Sequence, residues 1–341
     1  MRLHLLCQAI RIGSCLLLAA MCLGIGADPA RAEGPDANPV VIRYLNDPGA
    51  VRSFEIADAL GYLKEKGIRL EFKGYSHGAP ESLAALASGS ADLIGIATPA
   101  AINAIAAGAK ILCILPAQGI SKDVNSKFFV LEGSPIKTAD DLEGKSIAVN
   151  TPGAHLDYTV REYLRMHGLK GDVKLMTVPG PQLDRTLRER QADVVAVGAW
   201  QSPVAAKIAA EGGARVLFTD HDVLGDIVLG NVVMNKAFID QHPQAVEEFV
   251  TAAAKASDWA VEHPDQARKL FAQILKNRGD DPAAAGYWLG YGLRRHALYK
   301  DHDIKFWLDV LVREGRLKAG QLAPEDIATN KYNENAQLAE H

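Results

Sequence analysis

The fold is decided by the stretch Gly74–Ala109, which reads GYSHGAPESLAALASGSADLIGIATPAAINAIAAGA. It alternates loop, helix, strand, loop and helix. Pro80 and Pro99 stand where first helical residues are expected, because proline lacks the N–H group that is unpaired at that position anyway. Between them, the apolar run Asp92–Ala97 predicts a parallel strand buried on both faces. The stretch therefore predicts an α/β fold.

Two loops of this stretch, Tyr75–Gly78 and Thr98, come directly before the predicted helices. Each offers free backbone N–H groups and the positive end of a helix dipole. If the strands at 68–73 and 92–97 are parallel neighbours, both loops lie at one edge of the sheet. Open α/β sheets bind ligands at that edge, so we expect a ligand site there.

The first 32 residues predict a secretory signal peptide. Arg2 and Arg11 precede the apolar run Ile12–Ile25, and Ala30–Ala32 has the A-x-A pattern of a cleavage site, which places cleavage before Glu33. The alternative is a membrane anchor, but the run of 14 residues is short for a bilayer span. We therefore expect an exported, periplasmic protein that does not span the membrane.

The composition of the mature chain excludes several classes. The full chain has 37 basic and 41 acidic residues, and removal of residues 1–32 takes away three Arg and one Asp, which leaves a net charge of −6. This balance gives no indication of nucleic-acid binding. Cys113 is the one cysteine of the four that remains after cleavage, so no internal disulfide is expected.

A second copy of the βα pattern follows the first. SGSADLIGIATPA ends one copy and RERQADVVAVGAWQSP ends the other, so that Asp92 and Asp193 match at a distance of 101 residues. Two such α/β units predict two similar lobes. The apolar run Asp226–Asn235 is interpreted as the strand that returns to the first lobe, and the rest of the chain is predicted to be helical.

One motif suggests an enzyme. Gly74–Gly78 fits the G-x-S-x-G nucleophile elbow of α/β-hydrolases, with Ser76 as the nucleophile, and it lies between a strand and a helix. However, the preceding strand Ile68–Lys73 alternates apolar and charged residues, whereas the elbow strand of hydrolases is central and apolar. A secreted hydrolase is therefore the alternative hypothesis. Asp220–Asp222 and Asp301–Asp303 lack the partners that a metal site needs, and we expect no metal or cofactor.

The candidate ligand-binding residues lie in loops that converge at the predicted sheet edges. These loops are rich in hydroxyl, amide and glycine residues, contain no Lys or Arg, and contain one acid, Asp47. They suit a small oxyanion held by backbone N–H groups and neutral donors. The roles of His77 and His155 in these loops stay open. The candidates are Asn46, Ser76, His77, Gly78, Thr98, Asn150, Thr151, Gly153, His155, Trp200 and Gln201.

Several runs, taken in order, resemble the nitrate/sulfonate/taurine-type solute-binding proteins of ABC importers. They are ADALGYLKEKGIRLEFKGYSHGAPESLAALASGSADLIGIATPAAINAIAAGA (57–109), DLEGKSIAVNTPGAH (141–155), ADVVAVGAWQSP (192–203) and EGRLKAGQLAPEDI (314–327). The family often has an acid after the tryptophan and a glutamine in the first loop. Here Gln201 follows Trp200, and the first loop has Asn46 and Asp47, which leaves the identity of the ligand open.

The resemblance implies a type II periplasmic-binding-protein fold, with two βαβ lobes, a hinge and a helical C-terminal part. Lobe I would comprise residues 33–120 and 228–341, and lobe II residues 121–227. The implied function is capture of an organic sulfonate or related oxyanion and its delivery to an ABC permease with its ATPase, by a non-enzymatic monomer. Nitrate, an aromatic acid or a thiamine-precursor pyrimidine are alternative ligands, and a sensor is an alternative partner.

Overall fold

The computed structural model describes residues 39–170 and 172–340. The predicted signal peptide and its cleavage site lie outside the described residues. Within the described ranges the chain forms ten strands. In chain order they are β1 (Val40–Asn46), β2 (Ile68–Tyr75), β3 (Leu93–Ala97), β4 (Ile111–Gly119), β5 (Lys127–Leu131), β6 (Ser146–Val149), β7 (Lys174–Thr177), β8 (Val194–Val197), β9 (Ala214–Thr219) and β10 (Val228–Asn235).

The α-helices of the described chain flank these strands and dominate its last third. They are α1 (Ser53–Ala59), α2 (Ala79–Ser88), α3 (Thr98–Ala106), α4 (His155–Met166), α5 (Leu183–Arg188), α6 (Ser202–Glu211), α7 (Asp220–Leu224), α8 (Lys236–Gln241), α9 (Pro243–Glu262), α10 (Pro264–Arg278), α11 (Asp301–Arg313) and α12 (Pro324–Ile327). Within residues 39–170 and 172–340, none of them has the length and apolar character of a membrane span.

The strands form two separate five-stranded sheets, which confirms the predicted α/β class with two lobes. The first sheet has the order β2-β1-β3-β10-β4 and the second has the order β7-β6-β8-β5-β9. In the first sheet β10 is antiparallel to both of its neighbours, β3 and β4. In the second sheet β5 is antiparallel to both of its neighbours, β8 and β9. The other strands of each sheet are parallel to one another.

Two details of the sequence prediction need correction. The strands at 68–73 and 92–97 are not neighbours, because β1 lies between them and pairs in parallel with both. The conclusion drawn from their pairing still holds, since all three run in the same direction and their following loops share one edge. The strand β5 was not predicted, because no helix separates it from β4.

Helix boundaries follow from local sequence. Pro80 and Pro99 lie within the first two residues of α2 and α3, where the missing N–H group of proline costs no hydrogen bond. Gly89 ends α2 with a φ of 71°, a left-handed conformation that favours glycine. Each of these helices follows the carboxyl end of a strand of the first sheet, β2 or β3, so its N-terminus lies at that edge of the sheet.

The chain passes between the sheets through residues 120–126 and 220–227. The two passages run side by side: the N–H of Ile120 donates to the carbonyl of Ile227 at 2.8 Å, and the N–H of Asp220 donates to the carbonyl of Ser126 at 3.1 Å. The described part of the C-terminal half then covers the first sheet. Two paired passages of this kind permit the sheets to rotate relative to each other about one line.

Candidate functional site

The candidate site is a cavity between the carboxyl ends of the two sheets. Its wall includes residues of the first sheet and its loops, such as Gly78, Ser82 and Asn231, and residues of the second, such as Thr151 and His155. It encloses about 560 Å³ of space, counting its opening to solvent.

Three helices begin at this cavity. Gly78, Ala97 and Ala154 precede the first residues of α2, α3 and α4, and all three line the cavity. None of these positions has a side chain that accepts a hydrogen bond from the first turn. The first-turn N–H groups and the positive dipole ends of three helices therefore converge where an oxyanion could accept their hydrogen bonds.

The loops of the two lobes face each other across the cavity mouth. A Cβ atom built at Gly78 would stand 3.0 Å from Oγ1 of Thr151, so a side chain at position 78 requires the Thr151 side chain to shift. Nearby, Nδ2 of Asn103 on α3 donates to the carbonyl of Gly153 at 3.3 Å. The two predicted loop regions around residues 76 and 151 therefore lie on opposite sides of one cleft.

Arg52 is the main feature that sequence reasoning missed. The prediction that the binding loops contain no Lys or Arg is wrong, because the Arg52 side chain lines the cavity from the residue that precedes α1. Its Nε donates to Oδ1 of Asn46 at 3.1 Å, and its Nη2 lies 2.5 Å from Oδ2 of Asp47. In the sequence, Arg52 is a cation directly before the helix that begins at Ser53. The predicted first loop ends at Ala50 and therefore does not include it.

Asp47 also lines the cavity, with 28% of its side chain exposed. Burial of this carboxyl raises its pKa above the ordinary value, and the neighbouring Arg52 guanidinium opposes that shift. Behind the pair, Asn46 is buried, and its Nδ2 donates to Oε2 of Glu55 at 2.6 Å. Asn46 thus positions Arg52 but is not part of the cavity wall.

The floor of the cavity contains a polar chain of side chains. Thr98 is buried and accepts a hydrogen bond from Nδ2 of Asn231 at 3.1 Å, while Oδ1 of Asn231 accepts one from Tyr299 Oη at 2.9 Å. Asn231 lines the cavity, whereas Thr98 lies behind it. Asn231 was not predicted, although a single polar residue inside the apolar run Asp226–Asn235 was a visible signal.

His155 forms the opposite wall, at the first residue of α4. Its ring is 1% exposed, and its Nε2 lies 2.8 Å from Oδ2 of Asp220, which is itself fully buried. The other carboxylate oxygen of Asp220 accepts the N–H of Ser126 at 2.8 Å. Through Asp220, His155 is therefore linked to both segments that connect the two sheets, residues 120–126 and 220–227.

The remaining predicted residues divide into two groups. Asn150 and Trp200 line the cavity from the second sheet, and the indole of Trp200 lies over Gly198. Gln201 does not line the cavity, and its Oε1 accepts the N–H of Gly198 at 3.2 Å. His77 is exposed, and its ring lies 3.5 Å from Glu81 on the outer surface.

The geometry around Ser76 does not favour the hydrolase alternative. Ser76 is buried, and its Oγ contacts Oγ of Ser82 and the carbonyl of Gly78. No histidine that the structure describes hydrogen-bonds to it, so the general base that a serine nucleophile needs is missing from its surroundings. Ser82, which is adjacent, carries a hydroxyl at the cavity wall.

Two flanked sheets with a cleft between their carboxyl ends define a bilobal periplasmic-binding-protein fold. The chain belongs to the NMT1/THI5-like family, whose model matches residues 52–267, more than half of the chain. No curated protein sequence matches the chain. Within the described residues, no group of three or more His, Cys, Asp or Glu side chains could hold a metal ion.

Solved structures of the same fold include binding proteins and an enzyme. The alkanesulfonate-binding protein SsuA from Xanthomonas axonopodis pv. citri, bound to MOPS, has a TM-score of 0.68 at 20% identity, over 86% of this chain and 99% of that chain. The periplasmic nitrate-binding protein NrtA from Synechocystis PCC 6803 has a TM-score of 0.67 at 17% identity, over 88% and 89%. The desulfurization enzyme DSZB has a TM-score of 0.60 at 18% identity, over 89% and 100%. At sequence identities of 17%, 18% and 20%, these similarities show that the proteins share a fold and nothing more.

Proposed function

We propose that this protein is the periplasmic solute-binding component of an ABC importer, and that it captures a small oxyanion between its two lobes. The observation that carries the proposal is the convergence of three uncapped helix N-termini and the Arg52 guanidinium on one cavity. An oxyanion accepts hydrogen bonds from such groups at low cost, because they are already oriented toward it. An organic sulfonate is the proposed ligand, in line with the sulfonate-binding and nitrate-binding proteins that share the fold.

The proposed mechanism is lobe closure. Lobe I comprises residues 33–120 and 228–341, and lobe II residues 121–227. Gly78 and Arg52 approach the ligand from lobe I, and Thr151 and His155 approach it from lobe II, so a solute that contacts both sides favours the closed state. The permease and its ATPase then recognise that state. In this proposal the protein is exported by cleavage near Ala32 and Glu33, acts as a monomer and has no enzymatic activity.

Thermal unfolding against a solute panel tests the proposal. A ligand at about a hundred times its dissociation constant adds about 2.7 kcal/mol to the free energy of unfolding. We expect alkanesulfonates to raise the melting temperature more than sulfate or nitrate, because Trp200 and Ile96 offer apolar contacts to an organic tail. If all three classes leave the melting temperature unchanged while an aromatic acid or a pyrimidine raises it, the proposed ligand class is wrong.

The proposed absence of catalysis has its own test. The purified protein should neither hydrolyse esters nor release sulfite from organosulfur compounds, since no described side chain within hydrogen-bond distance of Ser76 can act as its general base. An activity that disappears in Ser76→Ala or Ser82→Ala, at unchanged melting temperature, would replace the receptor proposal by an enzymatic one.

A further inference from the structure

Helix α4 packs on both halves of the molecule. Its residues Leu156 and Leu164 are buried in a core cluster of the second sheet. Tyr158 is 2% exposed and belongs instead to a core cluster of the first sheet, where its ring centroid lies 6.4 Å from that of Trp307 on α11. The ring of His155, at the start of α4, lies 5.6 Å from the same indole. The packing between α4 and α11 is therefore a direct contact between the two lobes.

Two ion pairs continue this contact toward the ends of both helices. The guanidinium of Arg313 donates to Oε1 of Glu162, whose side chain is 3% exposed. Nη1 of Arg161 lies 3.8 Å from Oε2 of Glu314. In both pairs one partner is on α4 and the other is at the end of α11. Since the starts and the ends of the two helices meet in the same order, the helices run side by side in the same direction.

The α4 members of both pairs also have a partner on their own helix. Oε2 of Glu162 accepts from Nε of Arg165 at 2.8 Å, and Nε of Arg161 donates to Oδ1 of Asp157 at 2.7 Å. Separation of α4 from α11 would therefore leave neither charge without a partner, which is the costly outcome for a buried ion pair. Arg313 is already 41% exposed, so water can replace its lost partner. The contact can consequently part and form again.

We propose that α4 and α11 form a latch that holds the two lobes closed before any solute enters. The latch consists of the pairs Glu162–Arg313 and Arg161–Glu314 together with the buried Tyr158. It rests on the proposed function and adds to it, because closure then precedes capture and the solute selects a state that already dominates. An apparent dissociation constant rises as the binding-competent fraction falls, so the latch makes binding tighter without any contact to the solute.

Small-angle X-ray scattering of the mature chain, with no solute added, tests the proposal. Arg313→Gln removes the cation that reaches Glu162, and we expect a larger radius of gyration than in the native protein. Arg313→Lys keeps the charge and should stay closer to the native radius, whereas Arg313→Glu places a second carboxylate beside Glu162 and should give the largest radius. Arg185→Gln is the control, because it breaks the exposed Arg185–Glu189 pair within α5 and its end and should leave the radius unchanged.

Glu314→Gln is the second variant. It removes the acceptor of Arg161 at the partly exposed end of α11, and we expect a smaller increase of the radius in the same direction. If Arg313→Gln is folded by circular dichroism and has the native radius, the proposal is overturned. If Arg313→Gln does not fold, a native radius in Glu314→Gln overturns the proposal in its place.

Calorimetric titration with ethanesulfonate measures the link to binding. Arg313 does not line the cavity, yet a closed fraction that falls to about one-tenth raises the apparent dissociation constant about tenfold. We expect this loss in Arg313→Gln and native affinity in Arg185→Gln. Equal affinity of Arg313→Gln and the native protein overturns the latch while the proposed function survives. If ethanesulfonate, sulfate and nitrate all fail to bind the native protein, the proposed function fails instead, and the scattering series still decides whether the latch exists.

Discussion

The guanidinium of Arg52 lies against the backbone of Gly95, so that a Cβ atom at this glycine would stand 3.1 Å from Nη2 and 3.3 Å from Cζ. Gly95 is in the middle of β3, and both residues line the cavity. The contact is tight because the guanidinium is held from the other side by Asn46 and Asp47. The absence of a side chain at position 95 is therefore what allows the cation to reach the cavity wall.

Gly95→Ala should move the guanidinium away from Asp47 and weaken oxyanion binding. We expect the dissociation constant to rise about tenfold, which corresponds to about 1.4 kcal/mol, and the free energy of unfolding to fall by about 1–3 kcal/mol through overpacking. Calorimetric titration and urea unfolding measure the two effects. Gly133→Ala is the control, because a Cβ atom there meets nothing within 4 Å. Unchanged affinity in Gly95→Ala would show that Arg52 does not contact the ligand.

Gly78→Ala tests whether the two lobes close on each other at this point. A methyl group at position 78 would stand 3.0 Å from Oγ1 of Thr151, and φ is 167° there, so the backbone itself accepts alanine. We expect weaker ligand binding, with a melting temperature of the ligand-free protein close to that of the native chain. The double variant Gly78→Ala/Thr151→Ala should recover part of the affinity, because it removes the atom that collides. If the single variant binds ligand normally, closure does not bring these loops together.

Asp220→Asn should destabilise the fold, because it leaves the buried ring of His155 without its charged partner. Nε2 of His155 and Oδ2 of Asp220 are 2.8 Å apart, with side chains 1% and 0% exposed, and disruption of such a buried hydrogen bond costs about 1–3 kcal/mol. Urea unfolding at pH 7 measures the loss. Glu189→Gln breaks the exposed Arg185–Glu189 pair at 2.6 Å and should cost about 0.5 kcal/mol or less. Similar losses in the two variants would contradict the structural role assigned to Asp220.

The duplicated architecture could be predicted because its signals are local. The matched aspartates are an example: Asp92 Oδ2 accepts the N–H of Arg43 at 2.9 Å, and Asp193 Oδ2 accepts the N–H of Ser146 at 2.8 Å. Each aspartate directly precedes the third strand of its unit and accepts a backbone N–H from the first strand, in the middle of β1 and at the first residue of β6. The same residue at the same step of both units produces the same bond, so a comparison of the two sequence copies was sufficient to find the relationship.

The positions of Arg52 and Asn231 in the cavity wall could not be predicted, because they depend on which elements become neighbours in space. Arg52 reaches the cavity only because Gly95, on another strand, leaves room for it. Asn231 becomes part of the floor because β10 pairs with β3 in a register that places it opposite Ile96. Periodicity predicts which face of an element is buried, but it contains no information on pairing register or on the side chain that fills a given space.

Two buried tyrosines should respond in opposite ways to the same substitution. Oη of Tyr291 is buried without a hydrogen-bond partner among the described residues, whereas Oη of Tyr44 donates to Oε1 of Glu55 at 2.9 Å. Tyr291→Phe removes an unsatisfied hydroxyl and should leave the free energy of unfolding at pH 7 unchanged or raise it by up to about 1 kcal/mol. Tyr44→Phe takes a donor from a buried carboxylate and should lower it by about 1–3 kcal/mol.

The Tyr291→Phe variant should also show a pH dependence of definite sign. Burial raises the pKa of Tyr291 above its ordinary value of 10, so when the pH passes 10 the unfolded chain releases this proton before the folded one does. The contribution of Tyr291 to stability is therefore complete below pH 10 and is lost as the pH rises above it. Tyr291→Phe should consequently show a shallower decline of unfolding free energy between pH 9 and 11 than the native chain, as measured by urea unfolding. An equally steep decline in the variant would mean that the Tyr291 hydroxyl ionises as freely in the folded protein as in the unfolded chain.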